Sequence, residues 1–296
     1  MTSTDDNLKL QADNLRGWLY DRSMTQQLVL SNLLKMLGPI RGQHCLLIHG
    51  ALSPMADRIQ KAGGTWESVT FVPGELSSVA KALVEGKQVG QDLILEWDDN
   101  AMDVVVVTDV LENVEDHAKF ILECHRVLKP TGRLVVDVPH RKRISLLGML
   151  RALLGLSSHW HGTARAGYSE SMLFDLLKDG FDAEEVATYS RFWVQLADTW
   201  AKLLTAVMGA GKDVESDHVN QELRGLGKVQ QAYSLTYPLG WLGSKLDLLI
   251  GFTKGYRLIT RARHRPWKPR RTPTLTDGRS IADAAINTKI GTAAPF

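Results

Sequence analysis

The densest group of hydrogen-bonding and titratable side chains in the chain is His159-Trp160-His161-Gly162, with Arg165 and Tyr168 close behind and His140 ahead of it. An imidazole near its ordinary pKa can take the proton of a hydroxyl as that hydroxyl attacks, which makes His140, His161 and Tyr168 the candidate catalytic residues. The same spacing suits a loop stapled to its domain by histidine and tyrosine hydrogen bonds, and the two readings carry equal weight. His159 and His161 do not read as a metal pair, because no Cys, Asp or Glu neighbour supplies a third ligand at metal spacing. A second group, Asp109, Glu112 and Asn113, lies upstream. Glu112 and Asp116 read there as caps of the next helix, whose amino end favours acids.

The elements that must position these groups are legible in residues 102–140. Residues 104–107 are an unbroken valine run, which predicts a strand buried on both faces. Residues 116–128 carry Ala118, Ile121, Leu122, His125 and Leu128 at helical spacing, and Lys129-Pro130-Thr131-Gly132 stops them. Residues 134–138 are a second buried strand. Strand, helix and strand predict a right-handed crossover in a parallel sheet, with residues 108–113 and Pro139-His140 facing one crevice at the strands' carboxyl ends. Upstream, Cys45-Leu46-Leu47-Ile48 predicts a strand, residues 55–62 a helix ended by Gly63-Gly64, and residues 66–71 another strand.

This stretch resembles the class I S-adenosylmethionine-dependent methyltransferases of the type-11 small-molecule group. The resemblance lies in Asp103, Asp109, Leu111-Glu112, Asp116, Glu123, Arg126-Val127-Leu128-Lys129-Pro130, Gly132 and Pro139. It continues in Gly167-Tyr168-Ser169, Leu173, Leu176-Leu177 and Gly180-Phe181, and in residues 254–263, which look like the group's last strand. It spans about residues 25–263 and implies an α/β, Rossmann-like methyltransferase sheet, mostly parallel with an antiparallel final strand and helices on both faces.

The resemblance also implies S-adenosyl-L-methionine as cofactor. Its turn would be His49, Gly50, Ala51 and Ser53, with Asp98 and Asp99 near the base and Asp109 after the fourth strand. Against the family pattern Leu47 takes the acidic position, and His49, Ala51 and Ser53 take the three glycine positions. Thr70 stands where a carboxylate would meet the ribose, although Asp92 and Glu96 keep acid near the base. Glu112-Asn113 replaces a frequent Glu-His. These departures predict weak or absent cofactor binding and leave two functions open. One is methyl transfer to a small molecule, glycan or lipid-linked intermediate. The other is a catalytically inactive methyltransferase-like interaction or structural protein.

Composition narrows the classes further. With 44% apolar residues a full core is available, and a net charge of +2 gives no bulk field for nucleic acid. Two cysteines in predicted buried elements, no signal peptide and no long apolar run predict a cytoplasmic protein. Peripheral contact with a membrane stays open. Arg261, Arg263, Arg265, Lys268, Arg270 and Arg271 follow the apolar residues 239–252 and would suit an anionic bilayer, though a core helix followed by a solvated basic linker is favoured. The expected organisation is an extension over 1–24, one domain over 25–263 with a helical insertion at about 192–252, and a basic linker and flexible tail over 264–296. In the tail, Ile281, Ile286, Ile290 and Phe296 are spaced like anchors for a protein partner, a passive extension being the plainer reading.

Overall fold

The structure is a computed structural model and describes residues 17–18, 20–50, 55–72, 87–90, 92–142, 145–153, 165–208, 218–251 and 253–267. In chain order the elements are α1 (Met24–Leu37), β1 (His44–Gly50), α2 (Ala56–Ile59) with a 3-10 turn over Gln60–Ala62, β2 (Thr65–Phe71), β3 (Lys87–Val89) and β4 (Met102–Thr108). Then come α3 (His117–Val127), β5 (Leu128–Pro139), α4 (Leu146–Leu153), α5 (Glu170–Leu177), β6 (Phe181–Tyr189), α6 (Phe192–Val207), α7 (His218–Leu249) and β7 (Arg257–His264). The strands make one sheet in the order β3-β2-β1-β4-β5-β7-β6. β1 to β5 run parallel, while β7 runs antiparallel to both β5 and β6. This is the α/β methyltransferase-type sheet, with its antiparallel strand β7 one place in from the β6 edge.

The valine run explains the centre of that sheet. Successive side chains of a strand point to opposite faces. Val105 and Val107 accordingly pack with Leu46, Ile48, Leu134, Val136 and the α3 residues Phe120, Ile121 and Cys124 on one face. Val104 and Val106 pack with Cys45, Leu47, Val135, Ile259 and the α1 residues Val29, Leu33 and Leu37 on the other. All of these side chains are removed from water, and burying one Leu, Val or Ile is worth roughly 1.5–3 kcal/mol. Leu47, at the family's acidic position, is thereby part of the α1-side core.

The motif that carries the resemblance turns out to hold the sheet together at its amino-terminal edge. Arg126 donates to Glu123, to Asp99 at 2.8 Å, and to the carbonyls of Leu95 and Trp97. It thereby straps residues 95–99 along α3. Its hydrogen bonds to Glu123 and Asp99 raise its pKa further. Lys129 grips both oxygens of Asp103 at 2.9 Å, and Asp103 also accepts the His44 N–H. Asp116 caps α3 by accepting the Lys119 N–H at 2.9 Å, as its position predicts. β5 is longer than residues 134–138, because Leu128 already pairs with Met102 and the register shifts before Val104. At the chain's later end α7 runs unbroken through Pro238 to Leu249 and packs along α6.

Candidate functional site

Strand order reverses between β1 and β4, so the crevice outside their carboxyl ends is where such a sheet binds ligands. Gly50 ends β1 there and Asp109 follows β4. They are in close approach: a Cβ on Gly50 would sit 3.0 Å from the Asp109 carbonyl oxygen. Asp109 has a φ of 56°, a left-handed conformation that an ordinary residue adopts at a cost and that clusters at functional sites.

Behind Asp109 lies a buried group of charges. Arg257, at the start of β7, donates to Asp109 at 2.8 Å and also to Asp137 near the end of β5. Asp137 is 0% exposed and accepts the Tyr189 hydroxyl at 2.5 Å and the Thr108 hydroxyl at 3.4 Å. Although burial alone would discharge it, the Asp109 and Asp137 carboxylates hold Arg257 well above even its usual pKa. Glu112 is the third carboxylate, 5% exposed, and among the described residues its Oε2 has no hydrogen-bond partner. Burial, and then the charge of Asp109, push its carboxyl up to about 8 against the opposing pull of Arg257. Its surroundings thereby favour the neutral, protonated form. It does not cap α3, a role that Asp116 fills alone.

The segment after β5 is tied to the site by backbone bonds. The Tyr168 N–H donates to the Pro139 carbonyl and the Arg141 N–H to the Tyr168 carbonyl, which lays residues 165–169 beside the end of β5. Gly167 makes this possible, with a φ of 121° and so close to Pro139 that a Cβ would lie 2.4 Å from its carbonyl oxygen. His140 donates through Nδ1 to the Gly255 carbonyl at 2.8 Å, which leaves Nε2 as the ring's acceptor. It lines an open groove of about 540 Å³ with Arg141, Lys142, Ser169, Glu170, Ser171 and Lys254.

The sequence candidates thus separate. His140, Gly50 and Asp109 stand at the carboxyl ends of the central strands. His49 ends β1 with them, its Nδ1 2.9 Å from the Gly50 carbonyl. Tyr168 stands nearby but is 0% exposed, its hydroxyl 3.0 Å from the Leu111 carbonyl and from His117 Nδ1. Burial pushes its pKa up to about 12. It is a post that holds the strap rather than a group open to a ligand. Asp98 and Asp99 stand at the opposite end of the sheet. Residues 92–99 descend along α3, from Asp92, whose carbonyl takes Lys119, to Asp99, which takes Arg126. Asp92, following β3, is the acid of that segment on the crevice side. His161, Ala51 and Ser53 lie outside the described residues, as do His159 and the tail from 268 onward.

Sequence reasoning missed Asp137 and Arg257. Their signal was present: a carboxylate within the apolar strand Leu-Val-Val-Asp-Val, and an arginine opening Arg-Leu-Ile-Thr, each a charge where the pattern demands burial. Among the described residues no helix is long and apolar enough to cross a membrane, and no cluster could hold a metal ion.

Residues 54–136 match a family model described as a methyltransferase domain. A Mycolicibacterium smegmatis protein named a probable S-adenosylmethionine-dependent methyltransferase is 46% identical over 43 residues, which is 14% of this chain and 17% of that protein. The matched part thus spans under a fifth of this curated relative's length. Among solved structures, an S-adenosylmethionine-dependent methyltransferase from Thermotoga maritima is 16% identical at a TM-score of 0.47, covering 85% of this chain and 92% of its own. One from Mesorhizobium loti is 14% identical at a TM-score of 0.44, covering 79% and 96%.

Proposed function

We propose that this chain, whose residues 54–136 match a family model described as a methyltransferase domain, is a class I S-adenosylmethionine-dependent methyltransferase that transfers a methyl group from S-adenosylmethionine to a nucleophile on a small molecule. The observation that carries this reading is the close approach of Gly50 and Asp109 at the switch point, with the unpartnered Glu112 carboxyl oxygen in the same charge group. The residues present fit the methionine end of that cofactor. Its ammonium and sulfonium are cations, and Asp109, Glu112 and the Gly50 backbone would hold that end. The ribose end has less to meet it. Thr70 offers a buried hydroxyl, and Glu67, the strand's own acid, is occupied by the Trp97 indole N–H at 2.9 Å.

Bound there, the cofactor supplies an activated methyl group, so the protein's work is alignment and the disposal of a proton. His140 suits the second task, with Nδ1 fixed as donor by Gly255 and Nε2 left to accept. Glycan and lipid-linked acceptors satisfy the same chemistry. The test is calorimetric titration of the full chain with S-adenosylmethionine and S-adenosylhomocysteine. Both should bind, with dissociation constants on the order of 10–1,000 μM, because the absent ribose carboxylate forgoes roughly 1.5–3 kcal/mol. No binding at millimolar ligand would reject methyl transfer. It would favour the second reading, a catalytically inactive interaction protein, which the apolar Leu47 and uncharged Thr70 at the family's acidic positions support.

A further inference from the structure

We propose that the groove beside His140 binds the phosphate group of the methyl acceptor, which makes the substrate a phosphate ester that presents its nucleophile to the imidazole. The reaction named here rests on the methyl-transfer reading; the phosphate site does not. Arg141, Lys142 and Lys254 bring three cations to the groove and Glu170 brings one carboxylate. Glu170 is fully engaged by Lys254, whose ammonium is 2.9 Å from both its oxygens. The other two cations have no carboxylate partner among the described residues. Arg141 is exposed, and the Lys142 ammonium lies 3.7 Å from the centre of the Tyr256 ring.

A net excess of two positive charges therefore faces the cavity. Lys142 in particular is held in an unfavourable state: burial, then the charge of Arg191, lower its pKa against the weaker pull of Asp247. An incoming anion relieves that. Ser169 and Ser171, whose hydroxyls bond one another at 3.0 Å, leave one free O–H donor on the same wall. A phosphate monoester carries about −1.5 to −2 charges and three acceptor oxygens at neutral pH, which matches the excess charge and the free hydroxyl donor better than a single carboxylate. His140 forms part of the wall, so an ester anchored by its phosphate brings a neighbouring hydroxyl or amine within reach of Nε2.

Titration of the full chain with inorganic phosphate tests this. Wild type should bind at millimolar concentration or tighter, and Arg141→Ala/Lys142→Ala should weaken binding at least about tenfold without lowering the melting temperature. Lys35→Ala/Arg41→Ala, which removes two charges far from the groove, should leave phosphate binding unchanged. Absence of binding to wild type at tens of millimolar, or equal loss in both double variants, overturns the proposal. Phosphate binding with the expected variant pattern, in a chain that binds no S-adenosylhomocysteine, would uphold the groove and reject methyl transfer. The phosphate's source is separated by sedimentation with phosphatidylcholine vesicles with and without phosphatidic acid. Pull-down that requires phosphatidic acid and Arg141 and Lys142 assigns a lipid phosphate; no pull-down beside retained phosphate binding assigns a soluble ester.

Discussion

Folding favours the neutral form of the Glu112 carboxyl, and the sign of its pH effect follows. Its carboxyl titrates near 8 in the fold against 4.5 as its ordinary value. Between those values the native state holds a proton that the unfolded chain has lost, so this group makes stability fall as pH rises through that window and level off above 8. Glu112→Gln should flatten the decline between pH 5 and 8 by up to about 1.4 kcal/mol per pH unit, read from urea unfolding at several pH values. Unchanged slopes would mean that the carboxyl is already ionised in the fold. A cationic ligand beside Glu112 would favour its ionised form, so S-adenosylmethionine affinity should also increase from pH 6 to 9 in wild type and stay level in the variant. Arg257 gives the complementary case. Arg257→Met leaves Asp137 buried with its cation gone and should cost about 3–5 kcal/mol. Adding Asp137→Asn should restore part of that loss; failure to do so would show that Arg257 acts through packing alone.

At the scale of elements, the strap over residues 165–169 depends on one glycine. Gly167→Ala puts a Cβ against the Pro139 carbonyl in a left-handed conformation and should cost about 1–3 kcal/mol, more than loss of the α3 cap in Asp116→Ala at about 1 kcal/mol. The strap variant should also lose the alignment of His140, while the cap variant should not. Equal effects would place the strap outside the site. The legibility of these elements followed how local their causes are. The valines of β4 and the periodic apolar face of α3 declare burial in the sequence itself. The start of β5 at Leu128 does not, since it depends on pairing with Met102 across a register shift. The helix over residues 218–249 carries Pro238 in its interior, a residue of low helix preference, and packing against α6 overrides that local preference. The resemblance places Asp98 and Asp99 near the base, whereas the direction of the segment along α3 carries them to the far edge.

For the whole molecule, the crevice joins parts of the chain that are distant in sequence. β1, β4, β5 and β7 meet there, from residues 44–50, 102–108, 128–139 and 257–264. These central strands run through both apolar cores, so a ligand bridging their ends stabilises the molecule as a unit rather than one loop. With a dissociation constant on the order of 100 μM, about 1 mM S-adenosylhomocysteine should stabilise the fold by roughly 1.4 kcal/mol. At about 2 °C or more per kcal/mol for a chain of this size, the melting temperature should rise by about 3 °C. Because the recognised end is the cationic methionine portion, methionine with adenosine supplied separately should give less than half that shift: the two fragments forgo the single ordering cost that the intact molecule meets once. The shift should shrink when Glu112 is replaced by Gln at pH 9, where wild type carries the full charge, and be nearly unaffected by that change at pH 6. A shift of the same size in both proteins at pH 9 would place the cofactor's ammonium away from Glu112 and remove the charge group behind Asp109 from the binding site.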